Sequence, residues 1–198
     1  MDKQELKLGA RILENLPHMS PDVMQGWINN PKALKEFLAG LVPKESPKSY
    51  LRHLESVTLA PTKGSVTLAE AEDVFTWLDS DFKKWRTNVP GEDTDEALVD
   101  VHEMTHDGTH KTLFGSLGDP RQLALSQGQV VEFCRNHRDS LQLNNYGTFF
   151  LFEVNGKLFI ANVCVDVRRI SAAVQSFYID RVWNADQRHR LVVQQQTV

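Results

Sequence analysis

Tyr146-Gly147-Thr148-Phe149-Phe150-Leu151-Phe152-Glu153-Val154 runs into Asn155-Gly156 and returns as Lys157-Leu158-Phe159-Ile160-Ala161-Asn162-Val163-Cys164-Val165. Asn-Gly between two runs rich in β-formers is a strong hairpin signal, because both turn residues must tolerate positive φ. A two-residue loop fixes the register, so Val154 should face Lys157, Phe152 should face Phe159, Leu151 should face Ile160 and Phe150 should face Ala161. Phe150, Phe152 and Phe159 then share one face, and Phe149, Leu151, Leu158 and Ile160 share the other. Both faces are apolar, which predicts a central hairpin covered on both sides. Just upstream, Ser126-Gln127-Gly128-Gln129 spells a capping box. Val130, Phe133, Cys134, His137 and Leu141 follow at helical spacing, so this helix is the natural cover for one face.

The rest of the chain reads outward from that hairpin. Leu6, Leu8, Ile12, Leu13 and Leu16 mark a first amphipathic helix ending before Pro17. Ser20-Pro21 starts a second, with Val23, Met24, Trp27 and Ile28 on its apolar side. Asn30-Pro31 starts a third, with Leu34, Phe37, Leu38 and Leu41 expected inward. Residues 1–42 therefore form a helical unit, and the two prolines and the charges of 43–48 read as a linker. In 49–198, Val57–Leu59 and Val66–Leu68 look like short strand ends, and 69–78 looks helical with Val74, Phe75 and Leu78 inward. Residues 98–106 are expected to run as a strand, turn at Asp107-Gly108 and return through Thr109 to Phe114. Further strands are expected at 172–179 and 188–193. The fold class is α+β: a small helical unit, then a mostly antiparallel sheet domain with one or two covering helices.

Composition narrows the function classes. The 198 residues carry 22 basic and 26 acidic side chains, a formal charge of −4 that argues against a general nucleic-acid binder. Two cysteines are too few for a disulfide framework and suggest a reducing compartment. With no apolar run of membrane length, the expectation is a cytoplasmic protein with no membrane partner.

Three constellations could carry chemistry. His102-Glu103-Met104-Thr105-His106 is formally H-E-x-x-H. On a helix, His102 and His106 could share a zinc ion, with Glu132 as a third ligand and Glu103 activating the metal's water, as in a zinc metallopeptidase. In a strand the two histidines stand about 13 Å apart and cannot chelate. Val99, Val101 and Thr105 favour the strand, so no cofactor is expected and zinc is the alternative. Cys134 and His137 lie one turn apart, a conceivable nucleophile pair but more plainly a buried thiol and a core histidine, and Cys164 could lie near Cys134. Finally, Arg138, Arg181, Arg188 and Arg190 could form an anion or nucleic-acid surface if the helix end meets the last strand. Interleaved aspartates favour a salt-bridged rim.

Phe114-Gly115-Ser116-Leu117-Gly118, the block Leu125–His137, Tyr146–Phe152 and Val182–Val193 together resemble a family of uncharacterised bacterial proteins. The resemblance extends to the Trp27 helix and the Val74–Trp85 segment. It implies bacterial or phage origin and no chemistry. The leading expectation is a non-enzymatic interaction or structural protein, whose partner is another protein and which could self-associate.

Overall fold

The computed structural model describes residues 20–41, 49–144, 146–166 and 169–195, together with Lys7, Arg11 and Glu14. The helix expected over Leu6–Leu16 and the linker at 43–48 lie outside the described residues. The chain divides into two compact units, Met1–Pro47 and Lys48–Val198.

In the first unit, α1 (Pro21–Asn29) and α2 (Pro31–Leu41) start where the Ser-Pro and Asn-Pro signals place them. Ser20 Oγ accepts the Val23 N–H at 3.4 Å, and Asn30 Oδ1 accepts the Ala33 N–H at 3.1 Å. Proline at the first helical position sacrifices no hydrogen bond there.

The second unit is built on one mixed sheet of seven strands: β1 (Leu51–Leu59), β2 (Trp77–Leu78), β3 (Ala97–Met104), β4 (Gly147–Val154), β5 (Lys157–Asp166), β6 (Arg169–Ser176) and β7 (Arg190–Gln194). Their order is β1-β3-β7-β4-β5-β6-β2. Pairing is antiparallel except for β4 with β7 and β2 with β6. The α+β class holds. The β4–β5 hairpin has the expected register, with Phe152 opposite Phe159 and Leu151 opposite Ile160. Asn155 and Gly156 both take positive φ, as the tight turn requires.

Each face of the sheet carries its own core. Phe150, Phe152, Ala161 and Val163 point into the first, with Val99, Val101 and Val192 from neighbouring strands. The capped helix, α6 (Gln127–Asn136), covers this face with Val130, Val131, Phe133 and Cys134, and Phe133 meets Phe150 edge-on at 5.3 Å. The capping box at Ser126 and Gln129 is formed as read. On the second face Phe149, Leu151, Leu158, Ile160 and Leu191 pack with Leu113, Phe114 and Leu123. These come from two short helices, α4 (His110–Gly115) and α5 (Pro120–Leu123). A further short helix, α3 (Asp81–Lys84), buries Phe82 in the first core. More helical pieces thus line the sheet than the one or two expected.

Four local expectations are corrected. The segment after Asp107-Gly108 does not return as a strand: Thr109 Oγ1 accepts the Thr112 N–H and starts α4 instead. No hairpin partner could fit, because both edges of β3 are taken by β1 and β7. The run 69–78 is not a helix. After one 3-10 turn the chain is drawn to β6, Thr76 N–H bonding to Ile170 O and Asp79 N–H to Ala172 O. Val66–Leu68 is likewise not a strand, since Val66 N–H turns back to Lys63 O. The strand expected to reach Ile179 stops at Ser176, whose hydroxyl accepts the Tyr178 N–H.

Candidate interaction surface

Residues 97–104 are extended, so His102 and His106 do not share a helical turn. His102 pairs across to His53, the two rings meeting edge-on at 5.3 Å. Burial, and then the His53 charge, hold His102 below the usual imidazole range. Glu103 is bound to Arg52 at 2.7 Å, and His106 Nδ1 pairs with Ser49 O at 3.0 Å. Glu132 sits on α6, accepting from Asn136 Nδ2 at 2.7 Å. Strand alternation puts His102 on the face of Met104, while α6 lies on the face of Val99 and Val101. The sheet therefore stands between His102 and Glu132. The four residues of the zinc alternative are not brought together, and among the described residues no group of three or more His, Cys, Asp or Glu is placed to hold a metal ion.

Beside His102, Asp100 Oδ1 accepts from Ser56 Oγ at 2.6 Å and lies 3.4 Å from His53 Nε2. Ser, His and Asp thus meet, but not as a relay. The serine proton already goes to the carboxylate, and both Ser56 and Asp100 address the same imidazole nitrogen. These groups form a polar ladder across edge strand β1 and its neighbour, the chemistry that keeps a sheet edge soluble.

Cys134 and Cys164 are both free. Alternation along β5 turns Cys164 to the face opposite Val163, whereas Cys134 lies in the core with Val163. Burial pushes the Cys134 thiol far above its usual range, so a thiolate there is strongly disfavoured.

The arginines divide by role. Arg190 is partly buried and donates from Nη1 to Asp139 O and Leu141 O, so the last strand meets the 3-10 turn (Arg138–Ser140) that follows α6. That contact engages the guanidinium with backbone carbonyls of the turn rather than presenting a free cation. Arg181 lies over the Trp183 ring, 4.1 Å from its centroid. Arg138 and Arg188 are exposed, the latter in the left-handed region at φ 49°. Two of the four, Arg181 and Arg190, are thus engaged within the fold.

Several large apolar side chains of the helical unit are exposed. No residue of α1 is buried. Val23 is 49% exposed, Met24 44%, Ile28 68% and Phe37 52%. Phe37, expected inward, is thus half in water, although its ring still meets Trp27 at 5.4 Å. Large contiguous exposed apolar patches are unusual on water-facing surfaces. The periodicity was visible in the sequence, but periodicity locates an apolar stripe without saying what covers it.

Two structural groups had no sequence signal. Gln127 joins three strangers, its Oε1 accepting Leu68 N–H and its Nε2 donating to Thr87 O and Val89 O. His110, Trp183 and His189 form a buried aromatic box with Phe149. These residues sit singly at loop ends, where no repeat betrays them. Among the described residues no helix is long and apolar enough to cross a membrane. Comparisons with protein-family models, with curated proteins and with solved structures found no match.

Proposed function

We propose that the protein is a non-enzymatic protein-binding module: the helical unit presents an apolar face to a partner protein, and the sheet domain is the stable body that carries it. The observation behind this reading is the exposure of Val23, Met24, Ile28 and Phe37 on two capped, well-formed helices. Ordered apolar helices with no buried residue in α1 gain little from folding alone, so a partner that covers them supplies the missing burial. An amphipathic helix is the partner element that suits such a face, because an apolar stripe on one helix packs into the grooves of another.

The test is site-specific photo-crosslinking in the cells that make the protein. A crosslinking residue at Met24 should capture one discrete partner, and Phe37→Asp should abolish that capture. The same probe at Glu55, exposed on edge strand β1, is the control. Equal capture from both positions, or none from Met24, would overturn the reading.

A further inference from the structure

We propose that the connection between β6 and β7 is an acid-released latch, pinned shut by Trp183 donating to a neutral His110 and freed when that imidazole takes up a proton. Trp183 is the pin. Its indole N–H donates to His110 Nε2 at 3.1 Å, and its ring lies 4.7 Å from Phe149 and 5.0 Å from His189. Its backbone exchanges two hydrogen bonds with Gly108, at 2.9 and 3.2 Å. A Cβ at Gly108 would sit 3.0 Å from Leu113 Cδ2, so a side chain there would require Leu113 to shift. Two residues on, Ala185 N–H bonds to Asp107 Oδ1 at 2.8 Å.

The chemistry of the pin is one-sided. An indole N–H only donates, so His110 Nε2 must accept and the imidazole proton must sit on Nδ1. That Nδ1 is buried with no hydrogen-bond partner among the described residues. His110 itself is fully buried. A second proton would have to go on Nε2, where it meets the Trp183 N–H donor to donor.

Most of the surroundings oppose that charge, Gln175 being the exception. Phe114 comes from the same helix and Phe149 from β4. β6 presents Gln175 Oε1, 3.5 Å from His110 Nε2, an acceptor that favours the proton and is outweighed by burial. The connection itself presents the Arg181 guanidinium over Trp183, and His189 precedes β7. Both Arg181 and His189 work against a positive His110. The clip's own acid, Asp107, is engaged by Ala185 N–H. Burial, first among these causes, brings His110 down to about 4.

Release has a visible consequence. Tyr178, Ile179 and Val182 on this connection are already 62%, 42% and 63% exposed, while Phe177 and Trp183 are buried. Freeing the segment would add two aromatic rings to an apolar patch, which is the kind of surface that drives association.

The experiment follows the Trp183 indole N–H resonance of the full chain by NMR, assigned with Trp183→Phe, from neutral pH to below about pH 4. The expected result is a shift or loss of that resonance at the midpoint of the His110 ring titration, with the sheet's amide resonances retained. His110→Gln, whose amide accepts the indole N–H and takes no proton, should hold the resonance fixed. Asp107→Asn, which keeps an acceptor for Ala185, should leave the transition in place. A transition that persists in His110→Gln, one abolished by Asp107→Asn, or one seen only as the whole chain unfolds would overturn the proposal. If His110→Gln does not fold, the wild-type ring decides: a midpoint shared with Trp183 well below the ordinary imidazole range supports the latch, and a midpoint in that range overturns it.

Discussion

The helical unit and the sheet domain are both made of well-signalled elements, yet they differ in what happens to their apolar side chains. In α1 the cap, the proline and the periodic stripe are all present, and no residue is buried. In β4 every residue except Glu153 is buried. The difference is one of partners. A strand between two others with a helical layer on each face finds its burial inside the chain. A short helix pair, described alone, has one side in water. Local signals therefore specify the shape of both regions, while among the described residues the buried core lies in the sheet domain.

The comparison breaks most directly at Phe152. It is fully buried in the first core, faces Phe159 across the hairpin and lies 5.9 Å from that ring. Phe152→Ala should cost about 3–5 kcal/mol, from lost transfer energy and the cavity left behind. A denaturant titration reads this directly. A loss below about 1 kcal/mol would mean that the sheet domain is no better packed than the helices.

Acid should act on the same unit and almost as strongly. His110 has its folded pKa lowered to about 4 from 6.5, by burial foremost. The native state resists the proton that the unfolded chain accepts. The stability at stake is fully present above about pH 6.5, falls as the pH drops and levels off below about pH 4. The span corresponds to roughly 3 kcal/mol at most, at 1.36 kcal/mol per unit. Unfolding titrations at several pH values should show this slope in the wild type, and a flatter one in His110→Gln.

Gln127 offers a finer break. One side chain satisfies Leu68 N–H, Thr87 O and Val89 O, tying the start of α6 to two loops. Gln127→Ala leaves those groups unpaired in a site where Gln127 is 8% exposed. The expected loss is about 2 kcal/mol, since each stranded buried group costs about 1–3 kcal/mol before water relieves it. Thermal unfolding checks this, and a change within a few tenths would show that the loops hold without the stitch.

Legibility in the sequence followed the same division. The β4–β5 register, the capping box and the two proline-led helices were readable because each depends on neighbours in sequence. Strand β1 was only half visible. Its edge position admits Arg52, His53, Glu55 and Ser56, and a bulge between His53 and Glu55 breaks the alternation. The α4 helix was misread because Asp107-Gly108 does resemble a hairpin turn. What decides against it is the occupancy of both edges of β3, a fact of topology. Gln127 and the His110–Trp183 pair were invisible for the same reason: their partners are 38 to 73 positions away. At the arginines the sequence left the meeting of helix end and last strand as a condition, and gave no sign that Arg190 would donate to backbone carbonyls.

The smallest effect is the sharpest test of the contrast. If α1 and α2 owe their exposed face to a missing partner, substitutions on that face should barely alter the free protein. Ile28 is 68% exposed and Phe37 52%, so Ile28→Ser and Phe37→Ala remove little that folding had buried. Ile28→Ser should shift stability by no more than about 0.5 kcal/mol, the usual range for surface changes. Phe37 has one described ring contact, with Trp27, and an aromatic pair of that kind contributes about 0.5–1.5 kcal/mol, which sets the upper limit for its loss. The same two substitutions should remove partner capture at Met24. A cost at Phe37 approaching that of Phe152→Ala would show that the helical unit is already covered in the free chain. The interaction reading would then lose the surface on which it rests.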